Sequence, residues 1–209
     1  MLWTSSIMSK SNAIVLASGN KKKLKELGSI LSQFQLDLHP QSEFDVEDAT
    51  EDGLSFVENA IIKARHACLK TGLPSIADDS GIEVDYLNGK PGIYSARFAG
   101  EQANDQNNLE KLLDSLKGVP EELRKARYQC IIVYMSHNED PTPIICQASW
   151  EGFILEQQRG DGGFGYDPIF FCPNANKTAA EMTALEKSAV SHRGKALTQF
   201  AKIFAAKTQ

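Results

Sequence analysis

Ile76-Ala77-Asp78-Asp79-Ser80-Gly81 is the stretch around which the rest of the chain is organised. Ser75 to Ala77 is typical of a short buried strand, and Ile82 to Tyr86 alternates apolar and acidic residues like a half-exposed strand. We therefore expect two strands joined by a turn at Ser80-Gly81, with both carboxylates where the first strand ends. Like charges so close together are unfavourable unless a cation or a proton-acceptor role compensates.

Two interpretations of the acidic pair stay open at this point. Asp side chains in turns often bond only the local backbone. Alternatively, the pair binds a metal, with one Asp directed into a cleft. Phosphatases with an aspartyl nucleophile need two Asp residues separated by one position, because adjacent strand residues point to opposite faces. Asp78 and Asp79 are adjacent, so the sequence disfavours that class.

Composition narrows the class of protein. The chain has 209 residues, 42% hydrophobic and 23% charged, which fits one globular domain with a substantial core. Its net charge of -5 argues against binding to a nucleic-acid polymer or to an anionic membrane, since both require a basic face. No apolar run approaches the length of a membrane span. Residues 1–12 are expected to be a frayed extension, Met8 being a second candidate start, and residues 13–207 the domain.

The cysteines and histidines are scattered. None of the four cysteines forms a Cys-x-x-Cys pair, so we expect reduced core residues of a cytoplasmic protein. The histidines show no zinc-site spacing either. The positions are Cys68, Cys130, Cys146, Cys172, His39, His66, His137 and His192.

The first strand and helix enclose a candidate phosphate loop. Residues 13–17 form a continuous apolar run, Ser18-Gly19-Asn20 breaks it, and Lys21-Lys22-Lys23 opens an amphipathic helix that the spacing extends to Phe34. A turn of this kind directs backbone N–H groups and the positive helix end at one point, which suits phosphate. The spacing is not that of a Walker loop. The alternative is an ordinary connection with a solvated lysine cluster.

An acidic loop, Pro40 to Asp52, precedes the second predicted helix. Ser55 with Glu58 three residues later has the pattern of a capping box, which accounts for Glu58 without a catalytic role. The helix continues to Gly72, and Asn59 and Lys63 share one of its faces.

Later segments complete the predicted fold. Asn104 begins a further amphipathic helix, and residues 126–134 and 144–150 alternate as a pair of antiparallel strands with Trp150 in the core. Strands and helices alternate first and antiparallel strands dominate afterwards. We therefore expect a single α/β domain with a mixed, twisted central sheet, flanking helices and two lobes around a cleft.

Two stretches near the C-terminus carry candidate ligand-binding residues. Four glycines between residues 160 and 165 let a backbone approach a ligand closely and leave Phe164 unobstructed, although a flexible hairpin loop is the alternative. Residues 187–195 concentrate polar donors just before a last helix predicted at residues 196–206. Cations at a helix N-terminus oppose the helix dipole, which suggests a purpose beyond a solvated helix start.

Six motifs in order resemble the inosine/xanthosine triphosphate pyrophosphatase family, and the dITP/XTP branch in particular. Their spacing covers nearly all of residues 13–206. They are Ser18-Gly19-Asn20 with Lys23, Glu58-Asn59-Ala60 with Lys63-Ala64, Asp78-Asp79-Ser80-Gly81, Pro91-Gly92-Ile93-Tyr94-Ser95-Ala96-Arg97, Gly162-Gly163-Phe164-Gly165-Tyr166-Asp167-Pro168, and Ser191-His192-Arg193-Gly194.

The resemblance implies hydrolysis of ITP, dITP or XTP to monophosphate and pyrophosphate, Mg²⁺ as cofactor, a homodimer and a cytoplasmic location. It also implies that Asp79 is the proton acceptor, that Glu51 and Asp79 serve the metal with Asp78 close by, and that a larger set contacts the substrate. That set is Ser18, Gly19, Asn20, Lys21, Lys22, Lys23, Lys63, Ser80, Phe164, Gly165, Tyr166, Asp167, Lys187, His192 and Arg193.

The chain departs from the family pattern at two positions. The acidic pair that relatives often carry here is Thr50-Glu51, so the metal assignment rests on a single carboxylate of that pair, and Ser18 stands where Thr is more frequent. Two other classes of function remain: a non-catalytic nucleotide-binding sensor, and a phosphohydrolase that releases inorganic phosphate.

Overall fold

The computed structural model describes residues 13–32 and 36–208. The predicted extension at residues 1–12 lies outside the described residues, as does Phe34. The described strands form one mixed sheet of seven strands in the order β2-β1-β3-β4-β5-β6-β7. β1 pairs in parallel with β2 and β3, and all later pairs are antiparallel. The predicted α/β domain with a mixed sheet is therefore confirmed.

The strands are β1 (Ala13–Leu16), β2 (Asp37–Pro40), β3 (Ser75–Val84), β4 (Lys125–Met135), β5 (Ile144–Ile154), β6 (Phe170–Cys172) and β7 (Lys177–Thr178). The helices are α1 (Lys21–Leu31), α2 (Phe56–Thr71), α3 (Asp105–Ser115), α4 (Ala184–Val190) and α5 (His192–Thr208). None of the helices in the described ranges has the length and apolarity that crossing a membrane requires.

β3 is one continuous strand, so the turn predicted at Ser80-Gly81 is wrong. The strand pairs with β4 over its whole length, from Ser75 to Val84. Gly81 is there for another reason: a Cβ at this position would collide with the carbonyl of Gly92 and the hydroxyl of Ser95. The glycine therefore marks a close approach of a second segment and not the end of a strand. After Val84 the chain enters a 3-10 turn at Asp85–Leu87.

Side chains alternate between the two faces of the sheet along β3, so they pack into different apolar clusters. On one face, Ile76 joins an apolar cluster with α1 and α5, and Ile82 joins a second cluster with α3 and Trp150. On the other face, Ala77 packs against α2. Asp78 and Ser80 share the first face and lie between its two apolar clusters. The polar site thus occupies the gap between two packed lobes.

Caps explain where most helices begin. The Asn20 side chain accepts the N–H groups of Lys22 and Lys23 at the start of α1, and Ser55 accepts that of Glu58 at the start of α2. The Glu58 carboxylate accepts the Leu54 N–H at 3.0 Å and the Ser55 hydroxyl at 2.7 Å. Glu58 therefore belongs to the helix cap, but its backbone bond goes to the residue before Ser55 and not to the Ser55 N–H that a capping box uses. Asn104 caps α3 as predicted.

The C-terminal helices differ from the prediction. Residues 187–195 do not precede the last helix, because Lys187 lies within α4, which ends at Val190, and α5 begins at His192, not at Ala196. Ser191 separates the two helices with extended backbone and accepts the Gly194 N–H through its hydroxyl. Lys187 therefore lies in the last turn of a helix, where a cation is favourable. The four cysteines are buried and free, as expected.

Gly194 determines how closely α4 and α5 approach, because a Cβ there would overlap the Ser188 carbonyl. We expect Gly194→Ala to lower the free energy of unfolding by about 1–3 kcal/mol through overpacking. Gly28→Ala is the matched control, since a Cβ at Gly28 in α1 meets nothing within 4 Å. That change should raise the free energy of unfolding by roughly 0.5–1 kcal/mol through helix propensity. Urea titration measures both, and equal stability of the two variants would contradict this account.

Candidate active site

A cleft opens beside the middle of β3. Ten of the predicted substrate-contacting residues line it: Asn20, Lys23, Ser80, Phe164, Gly165, Tyr166, Asp167, Lys187, His192 and Arg193. Six further lining residues were not among the predicted site residues: Gly81, Ser95, Ala96, Asp105, Asn108 and Tyr128. The structure thus brings together parts of the chain that are far apart in sequence.

Asp78 is a fully buried charge next to the cleft, outside its lining residues. Its side chain has no exposed surface, and its two oxygens face Lys23 Nζ at 2.9 Å and Arg193 Nη2 at 3.1 Å. Burial alone would raise the pKa of Asp78, but Arg193 and Lys23 outweigh burial and hold this pKa well below its usual range. Asp78 therefore stays ionised and joins α1 to α5 across the sheet.

Asp79 points to the opposite face of β3, as alternation along a strand requires. Its Oδ1 lies 2.7 Å from Lys63 Nζ, and Glu51 Oε1 lies 3.4 Å from the same ammonium. Burial raises the pKa of Asp79, and Lys63 offsets that effect only in part. These three side chains form a group on the α2 side, next to the cleft and outside its lining residues.

The phosphate loop follows the carboxyl end of β1, which pairs in parallel with β3 up to Leu16 and Ile76. The Asn20 cap occupies the N–H groups of Lys22 and Lys23, and Asn20 donates its own N–H to Ser18 Oγ. The hydroxyl of Ser18 and the lysine ammonium groups are candidate donors to phosphate, and the ammonium groups of Lys22 and Lys23 also pair with Asp105 and Asp78. Gly19 lies against the Asp48 carboxylate, which leaves no space for a Cβ.

Arg193 lines the cleft, but most of its N–H groups are engaged within the protein. Its guanidinium donates to Asp78 Oδ2 from both Nε and Nη2, to Ser80 Oγ at 2.8 Å and to Glu26 Oε2 at 2.5 Å. Four of the five N–H groups that an arginine carries are therefore engaged within the protein. The arginine fixes Ser80 and Asp78 in place, which a sequence motif cannot reveal.

The glycine-rich loop is held by Asp167 and is not a flexible hairpin. Asp167 Oδ2 accepts the Phe164 N–H at 2.8 Å and the Lys187 ammonium at 2.6 Å. Gly163 has a φ of 71°, and a Cβ there would collide with the same carboxylate. The Phe164 ring is half-buried and has Lys187, Lys22 and Arg193 within 4.9–5.9 Å of its centroid. Such a ring can stack on a flat aromatic ligand.

Phe164 and His192 both line the cleft, and the space between these two walls is the aromatic slot. The His192 ring stacks on Tyr128 with centroids 4.6 Å apart and planes 7° from parallel. Its Nδ1 is buried and has no hydrogen-bond partner among the described residues. Burial, reinforced by Arg193 and Lys187, lowers the pKa of His192 well below its ordinary value, so the ring is neutral. A neutral ring offers one donor and one acceptor.

Two predicted residues, Lys21 and Lys22, contribute less directly. Lys21 is exposed at the start of α1. Lys22 forms an exposed ion pair of 2.6 Å with Asp105 across the mouth of the cleft. Among the described residues, no three His, Cys, Asp or Glu side chains form a ready-made metal group.

The buried neutral His192 should make the protein sensitive to mild acid. Its pKa is lower in the folded than in the unfolded state, so the unfolded chain gains a proton first as the pH falls below about 6.5. Stability is therefore present above that pH and lost below it. Between pH 7.5 and 5.5, we expect the free energy of unfolding to fall by about 1 kcal/mol less in His192→Gln than in the wild type.

His39 provides the opposite control. Hydrogen bonds that the His39 ring donates to the Glu43 and Asp37 carboxylates raise the pKa of His39 in the folded state, so it adds stability below its unfolded pKa. His39→Gln should therefore make the acid loss steeper than in the wild type. Urea titration at the two pH values measures all three proteins, and identical losses in all three would refute the assignment.

Comparison with known proteins agrees with this architecture. The sequence model of the Ham1 family matches residues 14–203 of this chain. The dITP/XTP pyrophosphatase of Salmonella paratyphi A is 61% identical over 184 residues, covering 88% of this chain and 93% of that protein. The protein of the same name from Escherichia coli K12 is 59% identical over the same shares of both chains.

Solved structures show the same fold. A HAM1 protein from Coxiella burnetii superimposes with a TM-score of 0.86 at 47% identity, covering 93% of this chain and 98% of that one. The Ham1 protein of Staphylococcus aureus gives 0.81 at 36% identity, with coverage of 93% and 99%. Sequence and fold therefore agree over almost the entire described domain, and the chain belongs to the Ham1 family.

Proposed function

We propose that this protein is a nucleoside triphosphate pyrophosphohydrolase that converts ITP, dITP and XTP to the monophosphate and pyrophosphate. The observation that carries the proposal is a cleft that joins the aromatic slot to Asn20 and Lys23 of the lysine-rich loop, with the buried acidic pair next to it. The relatives named dITP/XTP pyrophosphatase, at about 60% identity, support this activity. The enzyme is thus a hydrolase acting on acid anhydrides.

The carboxylates of Glu51 and Asp79 fit the proposed Mg²⁺. Both converge on Lys63 Nζ, which shows that their oxygens already share one cation. Mg²⁺ usually takes one or two protein carboxylates together with substrate phosphates, so two are sufficient. When bound, the ion would supply Lewis-acid stabilisation of charge on the triphosphate.

The protein's own groups divide the remaining work. Asp79 orients a water molecule and accepts its proton as the water attacks the α-phosphorus, a contribution of roughly 10²–10⁴-fold. The bond from the α-phosphorus to the bridging oxygen breaks, and pyrophosphate leaves with the electron pair. Lys23 and Lys63 offset its charge, and the Ser18-Gly19-Asn20 turn with Lys21 and Lys22 holds the phosphate chain.

The slot recognises the base. Phe164 stacks on the purine, worth about 1–3 kcal/mol by analogy with other base stacking, while Gly165 and Tyr166 shape the wall. In the Nδ1-protonated tautomer, His192 donates to the oxygen at purine position 6 of hypoxanthine or xanthine. Adenine has an amino group there, so the buried donor would stay unpaired. Arg193 contributes mainly by fixing Ser80.

We also propose a homodimer in the cytoplasm. Support for the dimer is the family resemblance, together with exposed Leu54 and Tyr94 beside one groove. The four free cysteines suit a reducing compartment, which is also where nucleotide pools are found.

Incubation with ITP and Mg²⁺ should release phosphate only after inorganic pyrophosphatase is added, because pyrophosphate is the direct product. ITP should be preferred over ATP by a large factor, on the order of 10⁴ if the buried donor acts fully. Asp79→Asn should lower kcat at least about 100-fold with an intact circular dichroism spectrum.

Each alternative gives a different result in that assay. A nucleotide sensor would bind ITP without turnover, and a phosphohydrolase would release phosphate without the added enzyme. Near-normal turnover by Asp79→Asn would show that Asp79 is not the proton acceptor. Equal rates on ATP and ITP would show that a donor to the oxygen at purine position 6 does not set the selectivity.

Glu51→Gln should raise the Mg²⁺ concentration for half-maximal activity by about tenfold or more, because a charged oxygen ligand is lost. Asp52→Asn is the matched control, since Asp52 is the neighbouring acid in the same loop and its side chain is exposed. Titration of activity with Mg²⁺ measures the effect. The same shift in both variants would mean that general loop charge, and not Glu51 itself, is responsible.

A further inference from the structure

Tyr128 lines the cleft, and the mechanism above does not use it. It lies on β4 directly opposite Ile82 of β3 and Trp150 of β5. Its ring is buried between aromatic neighbours, with Phe170 4.6 Å away and His192 stacked at the same centroid distance. A position in the middle of three long paired strands is among the most rigid that the fold offers.

The Tyr128 hydroxyl donates to Asp167 Oδ1 at 3.2 Å. The other oxygen of the same carboxylate holds the Phe164 N–H and the Lys187 ammonium. Asp167 thus has one oxygen bonded to Tyr128 of the sheet and one oxygen that orients Phe164 and Lys187. The Tyr128 ring also stacks on His192. Tyr128 therefore contacts His192 directly and Phe164 through Asp167, so both walls of the slot depend on this one residue.

The hydroxyl is a permanent donor in this position. Burial, together with the neighbouring Asp167 charge, raises the pKa of Tyr128 well above its ordinary value. The phenol therefore keeps its proton at neutral pH. Without that donor, Oδ1 would be a buried charged oxygen lacking a partner, which is costly.

We propose that Tyr128 is a positioning residue for purine recognition: its hydroxyl fixes the Asp167 carboxylate, and through it Phe164 and Lys187, in the geometry that binds the base. This inference rests on the proposed function and adds a residue to it. Tyr128 acts on the base end of the substrate, and the phosphate end is left to Lys23, Lys63 and Asp79. The two ends can therefore be tested separately.

The variant Tyr128→Phe keeps the ring, and with it the stack on His192, but removes the hydroxyl. We expect IMP to bind about tenfold more weakly in titration calorimetry, as loss of a hydrogen bond to a charged group predicts. KM for ITP should rise by a similar factor, while kcat stays within about threefold because the phosphate groups are untouched. Inhibition by inorganic tripolyphosphate, a probe of the phosphate end alone, should be unchanged.

Tyr134→Phe is the matched control. Tyr134 lies on the same strand, and its ring packs against Phe200 and Phe204, away from the cleft. That variant should behave like the wild type in every assay. If Tyr128→Phe matches Tyr134→Phe in IMP affinity, or if it lowers kcat with KM unchanged, the proposal is wrong.

A double variant tests whether Tyr128 acts through Asp167. In an Asp167→Ala background, adding Tyr128→Phe should weaken IMP binding no further, whereas independent roles would give additive losses. Replacement of Tyr128 by p-aminophenylalanine keeps the ring and an N–H donor, and should retain IMP affinity within about threefold of the wild type. This replacement decides the question should Tyr128→Phe fail to fold, and a tenfold loss would overturn the proposal.

Wild-type measurements separate this inference from the proposed function. If the wild type neither binds IMP nor hydrolyses ITP, the proposed function is wrong and the role of Tyr128 falls with it. If the wild type does both and Tyr128→Phe is unaffected, the inference alone fails.

Discussion

The buried carboxylate of Asp78 is the constraint on which the arrangement of the site depends. An unpaired charge at a fully buried position would cost several kcal/mol, so cations must approach it. Lys23 arrives from α1 and Arg193 from α5, and both reach the same side chain. Arg193 then binds Glu26, which returns to α1. One buried charge thereby fixes the phosphate loop and the last helix relative to the central strand.

The acidic pair works because β3 divides its charges between two faces. Asp78 faces α1 and α5 and serves the architecture, while Asp79 faces α2 and meets Lys63 and Glu51. Burial of the first is fully compensated by cations, and burial of the second is compensated only in part. Neighbouring residues of the same type thus acquire different properties from the layers that cover the two faces of the sheet.

Periodicity and caps predicted much of this fold. The apolar run before Ser18, the Ser55 cap and the alternation in β4 and β5 each reflect local rules that hold within one element. The continuous β3 was missed because Ser80-Gly81 has turn composition, while the reason for the glycine is the approach of Gly92 from a distant segment. The start of α5 was missed because the Ser191 cap was not distinguished from the surrounding polar donors.

The sequence predicted which residues belong to the site better than it predicted how those residues bond to one another. Family motifs named Arg193 and Asp167, but their partners are set by tertiary packing: Arg193 is engaged by Asp78, and Asp167 by Tyr128 and Lys187. Tyr128 carries no local signal, because a tyrosine in an alternating strand is typical of any core. Such contacts between distant segments arise from the sheet register and cannot be derived from sequence spacing alone.

The split of the acidic pair across β3 also has a consequence for folding specificity. Sliding β3 by one residue against β4 would exchange the two faces, sending Asp79 towards Arg193 and Ala77 into the pocket built for Ile76. Both the electrostatic and the volume match would fail together. The two neighbouring aspartates therefore help to specify the register of β3 against β4, because the shifted register would lose the ion pairs of both carboxylates.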